Sequence, residues 1–95
     1  MQPENLCKKA FDVLEKNPKE ALKLFFDAYK FGGNSQAEAS FGIALSMGRL
    51  NLHGKAVPFL KNALTMEPKN SIYNLNLGLY LKIIGKRVMY HPKNI

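Results

Sequence analysis

The chain has 95 residues, a single cysteine, and 14 Lys or Arg against seven Asp or Glu, for a formal charge of +7. This length makes one small domain that buries only about 60% of the surface it exposes when unfolded, and an apolar content of 46% is ordinary for a folded chain. An internal disulfide is excluded by Cys7 standing alone, and a membrane span by Asn74, Asn76 and Lys82, which interrupt the most apolar stretch before it reaches about 18 residues.

The N-terminus, MQPENLCKKAFDVLEKNPKEA, carries acids and no apolar core, so it does not read as a secretory signal. A cytoplasmic, reducing location is the expectation, although a mature exported chain would have the same composition. The charge is unevenly distributed. Residues 1–48 hold six Lys and six acids, whereas residues 49–95 hold eight Lys or Arg against Glu67 alone. A basic half of this kind suits contact with an acidic protein, a nucleic acid or an anionic surface.

Five helices are predicted. The first lies around Pro3 to Glu15, where Leu6, Ala10, Val13 and Leu14 recur at helical spacing. Asn17-Pro18-Lys19-Glu20 starts the second: Asn accepts from free N–H groups, Pro suits the first helical position, and Glu reaches back. Its apolar face holds Ala21, Leu22, Leu24, Phe25, Ala28 and Tyr29, and Gly32-Gly33 ends it. Ser35-Gln36-Ala37-Glu38 has the form of a capping box for the third helix, which runs to about Met47 with Gly48 as its stop. Pro58 places the start of the fourth near Gly54 or Lys55, because proline is tolerated in a first turn whose N–H groups have no intrahelical partner. Pro68 closes that helix. The fifth starts at Asn70-Ser71 and runs to about Ile84, with Gly85 and the cations Lys86 and Arg87 suited to its end.

The chain also aligns with itself. Phe41-Gly42, Leu45 and Gly48-Arg49 reappear as Leu77-Gly78, Leu81 and Gly85-Lys86, and the segment from Glu20 is echoed by the segment from Lys55. A period of about 35 residues in alternating helices is that of a helical repeat array.

These residues resemble the tetratricopeptide repeat family. The middle repeat carries the resemblance through Phe41-Gly42, Leu45, Gly48, Ala56, Leu60, Ala63 and Pro68. Leu77-Gly78, Leu81 and Gly85 begin another, and Ala21, Phe25 and Ala28 supply the second helix of the first. The resemblance implies an all-α fold: a right-handed superhelical array of antiparallel hairpins, about 2.5 repeats in five helices, occupying residues 1–87 with a short tail at 88–95. Close helix packing is expected at Gly42 and Gly78, with Gly42 against Ala56. Two departures stand out: the turn holding Asn51, Leu52 and His53 is longer than the family's, and Gly33 stands where a proline would close the first repeat.

The array stops on its most apolar helix, SIYNLNLGLYLKIIG, where Ile72, Tyr73, Leu75, Leu77, Leu79, Tyr80, Leu81, Ile83 and Ile84 occupy most of the circumference. Three covers are open to it: the tail Val88-Met89-Tyr90 folding back, a second copy of the chain, or a further segment. Self-association as a homodimer is the expectation.

Catalysis has little to work with. Cys7, His53 and His91 have no spacing that matches a metal set or a nucleophile with its base, so no enzyme activity, metal or cofactor is expected. The resemblance instead implies a protein-interaction scaffold, an adaptor whose groove is lined by the first helix of each pair. The matching residues are Gln36, Ala39, Ser40, Ile43, Ser46 and Met47, then Ile72, Leu75, Asn76, Leu79, Lys82 and Ile83. A peptide or a partner helix is the expected occupant; the alternative is that Ile43, Leu75 and Leu79 pack into a neighbouring copy or the tail. Among relatives that hold C-terminal carboxylates with cations, only Asn76 finds a match, which argues against that specificity. A second class of function is open at the basic patch of Lys82, Lys86, Arg87 and Lys93, where Tyr80 and Tyr90 could stack on a nucleic acid or another polyanion.

Overall fold

The computed structural model describes residues 2–89, with side chains through Arg87. Among them, five α-helices follow one another: α1 (Pro3–Val13), α2 (Pro18–Phe31), α3 (Gln36–Arg49), α4 (His53–Met66) and α5 (Ser71–Met89). Each packs chiefly on its neighbours in sequence, and α1 also reaches α3. The result is an elongated slab of 53 × 29 × 18 Å.

Local chemistry accounts for most of the boundaries. The Asn17 side chain accepts from the Glu20 N–H at 3.1 Å, and Pro18 occupies the first turn of α2. Asn70 caps α5 in the same way, its Oδ1 accepting from the N–H groups of Ile72 and Tyr73 at 3.0 and 3.1 Å. Gly32 and Gly33 both take positive φ, 70° and 73°, and so release the chain from α2.

Four expected boundaries are corrected. Ser35 makes no side-chain cap; it is buried at the end of a 3-10 turn, Gly33–Ser35, that leads into α3. Gly48 does not stop α3, which continues through Arg49 and turns at Asn51, a residue at φ 65°. Because α4 already begins at His53, Pro58 lies in its second turn and not its first. It therefore leaves the Gly54 carbonyl without a helical donor, which is tolerable because Gly54 and Pro58 are both exposed. Gly85 is interior to α5, which extends through Met89, so the proposed boundary at residue 87 falls inside a helix. The remainder of the tail, with Tyr90, His91, Pro92 and Lys93, lies outside the described residues.

Two apolar clusters hold the slab together. In the first, Leu6, Cys7 and Ala10 of α1 meet Ala21, Phe25 and Ala28 of α2 and Ala39 and Ile43 of α3. The second joins Ala37, Phe41 and Ala44 of α3 to Ala56, Leu60 and Ala63 of α4 and Tyr73 and Tyr80 of α5. Helix α3 belongs to both clusters, and eight of its 14 residues are buried.

The glycines distribute differently from the expectation. A Cβ on Gly42 would run into the Phe25 ring of α2, not into Ala56, so the close approach of α3 is to the preceding helix. Gly48 makes room for the Tyr80 hydroxyl of α5. Gly78, the sequence echo of Gly42, meets nothing within 4 Å and is exposed. The physical reason is rotational: α5 turns Tyr73, Leu77 and Tyr80 toward the second cluster, and these echo Ala37, Phe41 and Ala44, the face that α3 turns toward α4. The opposite face of α5 is left outward.

Candidate docking face on the last helix

Helix α5 packs chiefly along α4, and three further contacts, with Phe41 and Gly48 of α3 and with the turn into α4, fix its seating. Tyr73 stacks on Phe41 with ring centroids 4.7 Å apart. About two turns farther on, Tyr80 is 4% exposed, with its hydroxyl over Gly48 and its ring meeting the His53 ring edge-on at 4.8 Å. Arg87 then donates to the Asn51 Oδ1 and lies 3.2 Å from His53 Nδ1. The long turn that departs from the repeat pattern thus holds the second half of α5: Asn51 and His53 are its two polar anchors.

Burial pushes the Tyr80 hydroxyl above its ordinary pKa, and burial takes Tyr73 up to about 12. His53 moves the other way, lowered by burial and by the neighbouring Arg87 cation. A neutral His53 with Nδ1 free to accept is the form that suits Arg87. At the same end Arg49 donates to both oxygens of Glu15 at 2.9–3.1 Å, which ties the α1–α2 turn to α3. Those hydrogen bonds hold the Glu15 carboxyl below its usual range.

With this seating, the outward face of α5 presents Ile72, Leu75, Leu79, Lys82 and Lys86, all exposed and spaced by three and four residues. Leu75 is 72% exposed, Ile72 59% and Leu79 50%, with Leu81 at 47% on the flank. Isolated exposed leucines need no explanation, but a contiguous row along one helix does.

The expected groove is only half present. Ile72, Leu75, Leu79 and Lys82 share the outward face, whereas Asn76 is half-buried and donates to its own helix at the Ile72 carbonyl, 2.8 Å away. Ile83 packs against the second cluster. The α3 wall is closed. Ser40 and Ile43 are fully buried, as are Ala39 and Ser46, because α1, α2 and α4 surround this helix. Ser40 donates to the Phe59 carbonyl at 2.8 Å and accepts from Asn62 at 3.2 Å; Ser46 donates to the Gly42 carbonyl at 2.9 Å. Gln36 and Met47 are half-buried, and the Gln36 amide donates to the Tyr29 carbonyl at 3.3 Å.

The basic patch also divides. Lys82 and Lys86 are exposed on the outward face, Arg87 is engaged by Asn51 and His53, and Lys93 lies outside the described residues. Elsewhere an open pocket of about 440 Å3 lies beside Leu6, Asp27, Lys30 and Phe31. Its two charged groups face each other at 3.9 Å. Cys7 is 1% exposed, and burial, with Glu38 nearby, pushes its thiol up to about 12, which makes it unreactive. Among the described residues no three His, Cys, Asp or Glu side chains gather as a metal set, and no helix is long and apolar enough to cross a membrane.

No protein-family model matches the chain, and no curated protein or solved structure matches it.

Proposed function

We propose that this chain is a non-enzymatic protein-interaction module of the tetratricopeptide-like kind, and that it docks a partner protein or peptide on the outward face of α5. The observation that carries the reading is the exposed row Ile72, Leu75 and Leu79 on a helix whose other side is firmly seated. At roughly 25 cal/mol per Å2 of apolar surface removed from water, covering three such side chains supplies several kcal/mol of binding free energy. The helix resists deformation while it does so, because Tyr73, Tyr80 and Arg87 fix its rotation. An amphipathic helix laid along the row, with apolar anchors at intervals of three and four, is the complementary shape.

The test uses a displayed library of random peptides selected on the wild-type chain and counter-selected on Leu75→Glu/Leu79→Glu. Both substitutions fall at exposed positions, so circular dichroism should show an unchanged helical content. Peptides that bind the wild type and lose at least about 100-fold on the double variant support the reading. A library that yields only peptides indifferent to the two substitutions contradicts it.

Lys82 and Lys86, exposed on the same face, favour polyanion binding as a second reading. It predicts association with a labelled single-stranded oligonucleotide that falls steeply with salt. No binding at low salt removes it.

A further inference from the structure

One stripe on α5 changes character along its length. Ile72, Leu75, Leu79, Lys82 and Lys86 follow one another at intervals of three and four residues and are all exposed. A single line about 21 Å long is therefore apolar through the first half of the helix and cationic through the second. Neither α4 nor α5 contains an acid, and among the described residues no ion pair involves Lys82 or Lys86. Glu67 lies before α5, at the end away from these cations, with Lys69 two residues on.

We propose that the partner docked on this face is an acidic amphipathic helix of another protein, laid antiparallel to α5, with its acids in its first turns and its apolar anchors after them. The proposal rests on the docking reading above and adds the partner's chemistry and direction. Charge complementarity selects the chemistry. Carboxylates set over Lys82 and Lys86 gain two ion pairs that no acid on α4 or α5 opposes, while Ile72, Leu75 and Leu79 take apolar side chains. A second copy of the chain brings the same cations and no acid on the matching helix, so it does not complement the stripe. A nucleic acid meets the cations but offers the leucines nothing, and it finds no ring to stack on. Tyr73 and Tyr80, the aromatics of α5, are 6% and 4% exposed, so Tyr80 is not available for the stacking expected of it.

Helix dipoles select the direction. In an antiparallel pair the partner's acids fall near its own N-terminus, where the macrodipole favours negative charge. Lys82 and Lys86 already lie toward the C-terminal end of α5, where it favours positive charge. A parallel partner needs its acids in its last turns, against its own dipole. Read from the partner's N-terminus, the complementary stripe is thus acid, acid, apolar, apolar, apolar, at intervals of four, three, four and three.

A displayed library of helix-forming peptides tests both parts. The five stripe positions, at those intervals, are each randomised among Leu, Glu, Gln and Lys, and selection is made on the wild-type chain. Winners are expected to carry Glu at the first two positions and Leu at the last three. As synthetic peptides they should weaken about tenfold when both Glu become Gln, and at least about 100-fold on Leu75→Glu/Leu79→Glu. On Lys82→Glu/Lys86→Glu the selection should turn to Lys at the first two positions, a reversal that damage to the fold does not produce. Lys82→Gln/Lys86→Gln, which places no acid near the end of α5, should remove the preference for Glu. Winners with Gln or Lys at the first two positions, winners with Glu last, or a preference for Glu that survives both lysine variants overturn the proposal. If such winners still depend on Leu75 and Leu79, the docking reading stands and only the acidic antiparallel partner is excluded. Winners indifferent to Leu75 and Leu79, or no winners, overturn the docking reading and the proposal together. The proposal also falls if the wild type dimerises in sedimentation and Leu79→Glu dissociates it, or if a single-stranded oligonucleotide outbinds every winner and is itself weakened by Leu79→Glu.

Discussion

Gly42→Ala is expected to destabilise the chain by about 2 kcal/mol, whereas Gly78→Ala is expected to stabilise it by about 1 kcal/mol. Both substitutions gain the same helix propensity, about 1 kcal/mol, because both glycines are interior to a helix. They differ in what the new methyl group meets. At Gly42 it collides with the face of Phe25, which is fully buried and packed edge-on against Phe11 at 4.8 Å, so neither ring has room to retreat. Overpacking of this kind costs about 1–3 kcal/mol, and the fully enclosed ring places this site at the upper end. At Gly78 the methyl group points outward, so the propensity gain is kept. Chemical denaturation reads both values. A double-mutant cycle makes the cause explicit: in a Phe25→Leu background the penalty of Gly42→Ala should shrink by about 1 kcal/mol or more, since the atoms that oppose it are gone. Equal effects at the two glycines would refute the account of their roles.

The second large effect is expected at Tyr80. Tyr80→Ala removes the side chain that fills the space over Gly48 and supports His53, and truncating a buried aromatic costs about 3–5 kcal/mol. That is a large share of the roughly 5–14 kcal/mol available to a domain of this size. Because α5 touches the rest of the chain mainly through α4, the loss should appear first as detachment of α5, visible as faster amide exchange there than in α2 and α3.

The same contact makes stability depend on pH. His53 has a lowered pKa in the folded chain, so below the ordinary value of 6.5 the unfolded chain takes up its proton first. The contribution is complete above about pH 6.5 and is lost progressively as pH falls from there toward the folded value. Protonation turns Nδ1 into a donor facing the Arg87 donor, which removes the acceptor. His53→Asn keeps an acceptor and no titratable group, and its Tm should therefore fall less than that of the wild type between about pH 7 and pH 5.

Much of this architecture is legible in the residues. Asn17 and Asn70 announce helix starts because a short amide can satisfy free N–H groups only at those positions, and Gly32-Gly33 announces a stop because the chain there needs positive φ. The period of about 35 residues locates the hairpins. What a period cannot convey is rotation. Gly42 and Gly78 occupy the same place in the sequence echo, yet one faces a phenylalanine and the other faces outward, because α5 turns inward the face of Tyr73, Leu77 and Tyr80, the echo of the face that α3 turns toward α4. A small residue shows that something comes close without saying what, so the sequence sets Gly42 against Ala56 and reads Gly48 as a helix stop, where the structure sets them against Phe25 and Tyr80.

The candidate site was legible on α5 and not on α3 for the same kind of reason. A helix apolar around most of its circumference is visible in any linear reading. The burial of Ile43 depends on α1 and α2 packing on α3, and that of Ser40 on Phe59 and Asn62 of α4, contacts between segments distant in the chain. The long turn at Asn51–His53, which looked like an irregularity, is the element that accepts Arg87, and its role exists only once α5 is seen to run past Gly85.

The central claim is that the outward face of α5 is open in the isolated chain and closed by a protein partner. The rate of thiol labelling at Leu75→Cys tests it most directly, measured on dilute protein alone and with a selected peptide added. Labelling should be about as fast as in an unstructured peptide when the protein is alone, and should slow at least tenfold when the peptide is raised to saturation. Protection without the peptide would show that the chain covers its own face, and fast labelling under both conditions would show that nothing docks there; either result contradicts the account.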